Sequence, residues 1–100
     1  MADIEITRPH SFSKDEIRTR ASEAAQDLED EFGAETWWDG DDRVRFKVER
    51  FMTTVADGRL DMNDREVHLV ITPSAMLPVS EEEIRRRAGT LLDERLAEQA

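Results

Sequence analysis

The chain has 100 residues, of which 38% are apolar, enough for one domain with its own core. Its net charge of −10 disfavours phosphate backbones and anionic lipid, so neither nucleic acid nor a charged membrane surface is an expected partner. Cysteine is absent, which excludes disulfides, thiolate zinc sites and thiol nucleophiles.

Residues 1–8 lack the apolar core of a signal peptide, and no apolar run approaches the roughly 20 residues of a membrane span. A cytosolic protein is the expectation. From Asp3 to Arg8 the chain alternates, with Ile4 and Ile6 on one side and Glu5 and Thr7 on the other, the pattern of a half-buried strand. Pro9 ends it, because proline cannot donate a ladder hydrogen bond.

Phe12 to Ile17 reads as a helix start. Ser13 is the N-cap, Glu16 closes a capping box, and Phe12 and Ile17 form a hydrophobic staple. Ile17, Ala21, Ala24, Ala25, Leu28 and Phe32 follow at steps of three and four, so they share one stripe. Gly33 suits a left-handed C-terminal cap. The opposite side is acidic, and several carboxylates crowd the last turns, where the helix dipole disfavours them.

Glu35 to Asp39 predicts a second strand. Trp37 and Trp38 are adjacent in it and must point to opposite faces, one toward the core and one outward. Asp39-Gly40, stretched by Asp41 and Asp42, signals a turn. Arg43 to Glu49 alternates cleanly, with Val44, Phe46 and Val48 on the apolar side. Phe51 and Met52 lie in a turn with exposed apolar side chains or in a bulge. Thr54 to Met62 predicts a weaker strand, broken near Asp57-Gly58. Glu66 to Thr72 is the clearest strand, with Val67, Leu69 and Ile71 on one side. After a connector bracketed by Pro73 and Pro78, the capping pattern recurs at Val79 to Ile84. The stripe Ile84, Ala88, Leu91, Leu92, Leu96 marks a second helix, with Glu82–Arg86 and Glu81–Arg85 as supporting pairs.

The expected architecture is a single two-layer α+β domain over residues 1–100, in the order β-α-β-β-β-β-α. Two helices cover one face of an antiparallel sheet of four to five strands. The pattern does not fix the partner of the first strand.

Few residues suggest chemistry. His10 can bond into the loop or helix start, or serve a site. His68 reads as a solvated strand residue. Arg43, Arg45, Lys47 and Arg59 on one strand face could bind an anion, or pair with Asp57, Asp61 and Glu66 as an ion-pair ladder. Trp37, Trp38, Phe51, Met52, Met76 and Leu77, with Val70, could form an exposed apolar patch and so an interaction surface. There is no GxSxG, no phosphate-binding glycine loop and no HExxH. The economical expectation is a binding protein without catalytic residues, cofactor or metal.

Ile4-Glu5-Ile6-Thr7-Arg8-Pro9-His10-Ser11, the alanine-rich acidic helix, Trp38-Asp39-Gly40-Asp41, Gly58-Arg59-Leu60 and Glu66-Val67-His68-Leu69 carry a resemblance over nearly the whole chain. In these pieces it resembles the polyhydroxyalkanoic acid system proteins. It departs from them at Glu49 to Thr53, where they tend to a glycine-containing turn, and at Thr72 to Leu77. The resemblance implies a cytosolic protein of storage-polyester metabolism. Its partners would be a hydrophobic granule surface, an acyl ligand or another protein, with homodimerisation open. An alternative is a small-ligand domain or weak enzyme, with a cavity between the sheet and the C-terminal helix and His10, Trp38 and Arg45 at its mouth.

Overall fold

A computed structural model of the chain describes residues 3–74 and 79–97. In chain order the elements are β1 (Ile4–Pro9), α1 (Lys14–Phe32), β2 (Glu35–Trp38), β3 (Arg43–Arg50), β4 (Thr53–Met62), β5 (Glu66–Pro73) and α2 (Glu81–Leu96). The five strands form one antiparallel sheet in the order β1-β5-β4-β3-β2. The partner that periodicity could not assign is β5: Ile4 lies opposite Ile71, and Ile6 opposite Leu69.

Alternation puts the apolar residues of every long strand on one face, and both helices cover that face. Ile4, Val44, Phe46, Leu60, Leu69 and Ile71 meet Ile17, Ala24 and Leu28 of α1 and Ala88, Leu91 and Leu92 of α2 in one buried cluster. Both helix starts form as their sequences dictate. Ser13 accepts from the Glu16 N–H, and Ser80 from the Glu83 N–H. Gly33 ends α1 at φ 68°, and its N–H bonds the Glu29 carbonyl.

Several details differ from the sequence expectation. β4 is continuous through Asp57-Gly58. Glycine stands there because of close approach: a Cβ on Gly58 would lie 2.1 Å from the Val70 carbonyl oxygen and 2.7 Å from the Phe46 ring. Val70 is buried although it points away from the helices, lying in mid-sheet between Glu5 and Arg59 in register. On α2, Arg86 pairs with Glu83, three residues back, and Arg85 donates to the Glu5 carbonyl, so neither expected i,i+4 pair forms. On the outer face the cations are indeed paired, with a partly different set of acids. Asp61 takes Arg43 and Arg59, Asp39 takes Arg45, and Glu35 and Glu49 flank Lys47.

An unexpected buried charge joins the helices. Arg20 sits on the core stripe of α1. Its Nη1 donates to the Arg95 and Ala97 carbonyls at 2.8 and 2.9 Å, closing the C-terminal end of α2, and its Nε donates to Glu16. Its guanidinium also lies 4.1 Å over the Phe12 ring. About two turns further along, Asp27 accepts a two-pronged hydrogen bond from Arg95 at 2.6 and 2.8 Å. This accounts for one carboxylate near the disfavoured end of α1, and Glu29, which accepts from the Thr36 hydroxyl, accounts for another.

Replacing Gly58 with alanine forces a methyl group against backbone that cannot move aside, and is expected to cost about 3 kcal/mol. A thermal or urea unfolding curve equal to the parent's would contradict this packing. The hydrogen bond from Arg95, against the opposing effect of partial burial, holds the Asp27 carboxyl below its ordinary 3.8. A carboxyl depressed in the folded state adds stability above its unfolded value, and that stability is lost as pH falls through the folded value. The stability difference between the parent and Asp27→Asn should therefore be full above about pH 5 and shrink steadily below pH 4. Urea midpoints measured from pH 7 to pH 2 check this.

Candidate functional site

The link between β3 and β4 is a two-residue hairpin turn. Arg50 pairs with Thr53, and the two residues between them, Phe51 and Met52, both have positive φ, at 54° and 66°. Two left-handed central residues are the signature of a type I′ turn, which fits the twist of the strands and favours Asn-Gly. Phenylalanine and methionine pay a steric penalty there of about 1–2 kcal/mol each. Burial of the two side chains does not offset this, because Phe51 is 99% exposed and Met52 100% exposed. The chain thus holds two large apolar side chains in water on a strained tip. Of the two alternatives read from sequence, the turn is realised at Phe51-Met52, and a bulge follows where the β3–β4 register shifts beside Val48 and Glu49.

Behind the tip lies an apolar cleft of about 710 Å³. Leu28 and Phe32 of α1, Ile84 and Ala88 of α2, and Val48 and Val55 of the hairpin form much of its lining. The register shift explains Val55, which lines the cleft together with its neighbour Ala56. The polar lining residues are Glu31, Arg50, Thr53 and Arg87, all exposed. Both arginines converge on Phe32. Arg50 Nη2 donates to its carbonyl at 2.7 Å, and the Arg87 guanidinium lies 4.7 Å over its ring.

The other residues singled out from sequence fall elsewhere. Trp37 faces outward opposite Arg45, and Trp38 faces the helix side opposite Val44. Neither enters the core, at 45% and 36% exposed, because β2 is a short edge strand beyond the main cover of the helices. Arg18 of α1 lies 4.9 Å over the Trp38 ring instead. From Arg45 to Phe51 is about 20 Å of extended strand, so the tryptophans and the hairpin tip are two separate apolar features. Met76 and Leu77 lie outside the described residues.

His10 is occupied locally. Its Nδ1 accepts the Phe12 N–H at 3.1 Å, and its Nε2 lies 2.7 Å from the Asn63 carbonyl, which fixes the ring between the β1–α1 loop and the β4–β5 turn. Arg45 is bound to Asp39 on the outer face. His10, Trp38 and Arg45 do not line the cleft behind the tip, so the cavity exists with a mouth different from the one expected. Among the described residues no group of three His, Asp or Glu gathers as metal ligands, and no helix is long and apolar enough to cross a membrane.

Also on the outer face, partial burial works to raise the Asp61 carboxyl, and the hydrogen bonds from Arg43 and Arg59 outweigh it, leaving the group below its ordinary range. Asp61 is thereby held as the shared anion of that ladder, which leaves these cations paired.

The family model described as "Putative polyhydroxyalkanoic acid system protein" matches residues 4–96. The chain belongs to this family. No curated protein matches it. The stretch matched to the polyhydroxyalkanoic acid system model includes the hairpin tip and every residue named here as lining the cleft.

Sequence reasoning found the tip and allowed for a cavity between the sheet and α2, but missed Arg50 and Arg87 at its mouth. The available signal was Arg87 itself, one turn along from Ile84 on α2 and therefore beside the apolar stripe.

If the tip is strained as its backbone angles say, the double variant Phe51→Asn/Met52→Gly should be more stable than the parent by about 2 kcal/mol. Urea unfolding of the two proteins measures it. Equal or lower stability would show that these residues sit there without strain.

Proposed function

We propose that this protein is a non-enzymatic binding protein of polyhydroxyalkanoate metabolism that acts in the cytoplasm and docks on the hydrophobic surface of the storage granule. The observation that carries the reading is the pair Phe51 and Met52, fully exposed on a turn whose geometry would be easier for small polar residues. Burying each of them against an apolar phase is worth about 1.5–3 kcal/mol. The strongly acidic remainder of the surface keeps the undocked protein apart from its own copies. Membership in a polyhydroxyalkanoic acid system family supports a storage polyester as the apolar phase.

The cleft of about 710 Å³ favours a second reading, a domain that takes a small ligand. The two readings concern the same hairpin end and share Phe51.

Co-sedimentation with purified polyhydroxyalkanoate granules tests the first reading. The Phe51→Asn/Met52→Gly variant should fall in recovery by at least about tenfold, while Trp37→Ala should stay near the parent. Equal recovery of the parent and the tip variant, or no recovery of the parent, would overturn docking through this turn.

A further inference from the structure

We propose that the cleft behind the hairpin is a binding site for a free alkanoate, with the carboxylate between Arg50 and Arg87 and the hydrocarbon chain between the two helices and the hairpin. The inference rests on the ligand-binding reading of the cleft and is independent of granule docking.

Three observations carry it. First, the cleft is large enough for a small molecule and apolar along its walls, where Val48, Val55, Ile84 and Ala88 offer no hydrogen-bonding side chain. A ligand that fills it must bring hydrocarbon. Second, the polar end is cationic in a chain whose net charge is −10. Among the described residues neither Arg50 nor Arg87 lies within ion-pair distance of a carboxylate. Arg50 spends its donors on the carbonyls of Phe32 and Glu49, and Arg87 rests on the Phe32 ring. By contrast, Arg43, Arg45 and Arg59 on the outer face are each in an ion pair with an aspartate, Arg43 and Arg59 sharing Asp61. Third, both guanidinium groups contact one residue, Phe32, Arg50 at its carbonyl and Arg87 over its ring, which places them at the same end of the cleft. A carboxylate is the group whose planar oxygens match a guanidinium fork.

Glu31 also lines the cleft and opposes an anion there. Its carboxylate sets a preference for one negative charge over two, so a monoanionic acid is the fitting class.

The experiment titrates octanoate and decanoate, each below its micelle concentration, into the ¹⁵N-labelled parent chain and follows amide shifts, with decanol and butyrate as comparison probes. The expected result is saturable binding of the two acids, with shifts concentrated at Val48, Val55, Ile84 and Ala88. Decanol and butyrate should bind more weakly, because each lacks one half of the match. Arg87→Gln and Arg50→Gln should each weaken decanoate by about tenfold and leave decanol unchanged. Both side chains are exposed, and an unaltered amide spectrum of the free variant shows that it remains folded. Decanol binding as tightly as decanoate, or insensitivity to both arginine variants, overturns the carboxylate assignment while the cleft remains a ligand site. Absence of binding by every probe, or shifts confined to surfaces away from the cleft, overturns the site itself. Neither outcome decides recovery of the parent on granules, which is a separate measurement, and Met52→Gly, at a residue that does not line the cleft, reads the tip alone.

Discussion

Two helices must cover the apolar face of a five-stranded sheet, and arginines fix how they do it. Arg20 and the Asp27–Arg95 pair fasten the C-terminal end of α2 to the first half and middle of α1. Small residues along the contact, among them Ala21, Ala24, Ala25 and Ala88, bring the helices close to each other and to the strands. The fastening lies toward one end of the pair. Toward the other end α1 finishes at Phe32, α2 begins beyond Ser80, and the β3–β4 hairpin runs on past both. The cleft occupies the space that this cover leaves. An arginine in a core position is costly unless its donors find partners, and Arg20 gives Nη1 to carbonyls that the end of a helix leaves unpaired in any case and Nε to Glu16.

The same hairpin carries the strained tip. Most two-residue hairpins put asparagine and glycine where both central φ angles are positive, because those residues tolerate the left-handed region. Here the turn is forced by its strands. Arg50 and Thr53 remain paired, the twist of β3 and β4 selects the turn type, and Phe51 and Met52 have to follow. The steric cost is met by the long β3–β4 and β4–β5 ladders rather than by any contact of the two side chains. A stable sheet can therefore hold an unfavourable pair of residues in water, ready for an apolar surface, without a compensating pocket of its own.

What could be read from the residues follows from how local each feature is. The helix caps at Ser13 and Ser80, the stripes that begin at Ile17 and Ile84, and the alternation of β3 and β5 depend on neighbours within a few positions, and each is realised. Gly58 misleads because a glycine in a strand reads the same whether the strand breaks or another backbone passes close by; only the Val70 carbonyl in the neighbouring strand tells the two apart. Adjacency in a strand puts Trp37 and Trp38 on opposite faces, yet the edge position of β2 keeps both out of the core, and edge position is a property of the whole sheet. The pairing of β1 with β5 spans most of the chain and has no local signal. Arg20 was legible in principle, since it falls among Ile17, Ala21 and Ala24 on the stripe, and a charge in that register calls for a partner. A cavity against α2 was legible only as a possibility, and its mouth was not, because its walls come from four separate stretches of the chain.

Tip and cleft share Phe51, which stands at the exposed turn and also borders the cavity. That juxtaposition has a physical consequence for the proposed roles. A hydrophobic phase meeting the turn would place the cleft mouth at its boundary, with Arg50 one residue before the tip and Arg87 facing it from α2. Arginines suit such a boundary, because their stems lie along apolar material while their guanidinium groups stay wet. An acid with a hydrocarbon tail has the same division of character and concentrates at the same kind of interface. In the proposed roles, one end of this domain therefore brings an exposed apolar turn together with two arginines that have no carboxylate partner among the described residues, while the arginines on the outer face of the sheet are held in ion pairs with aspartates.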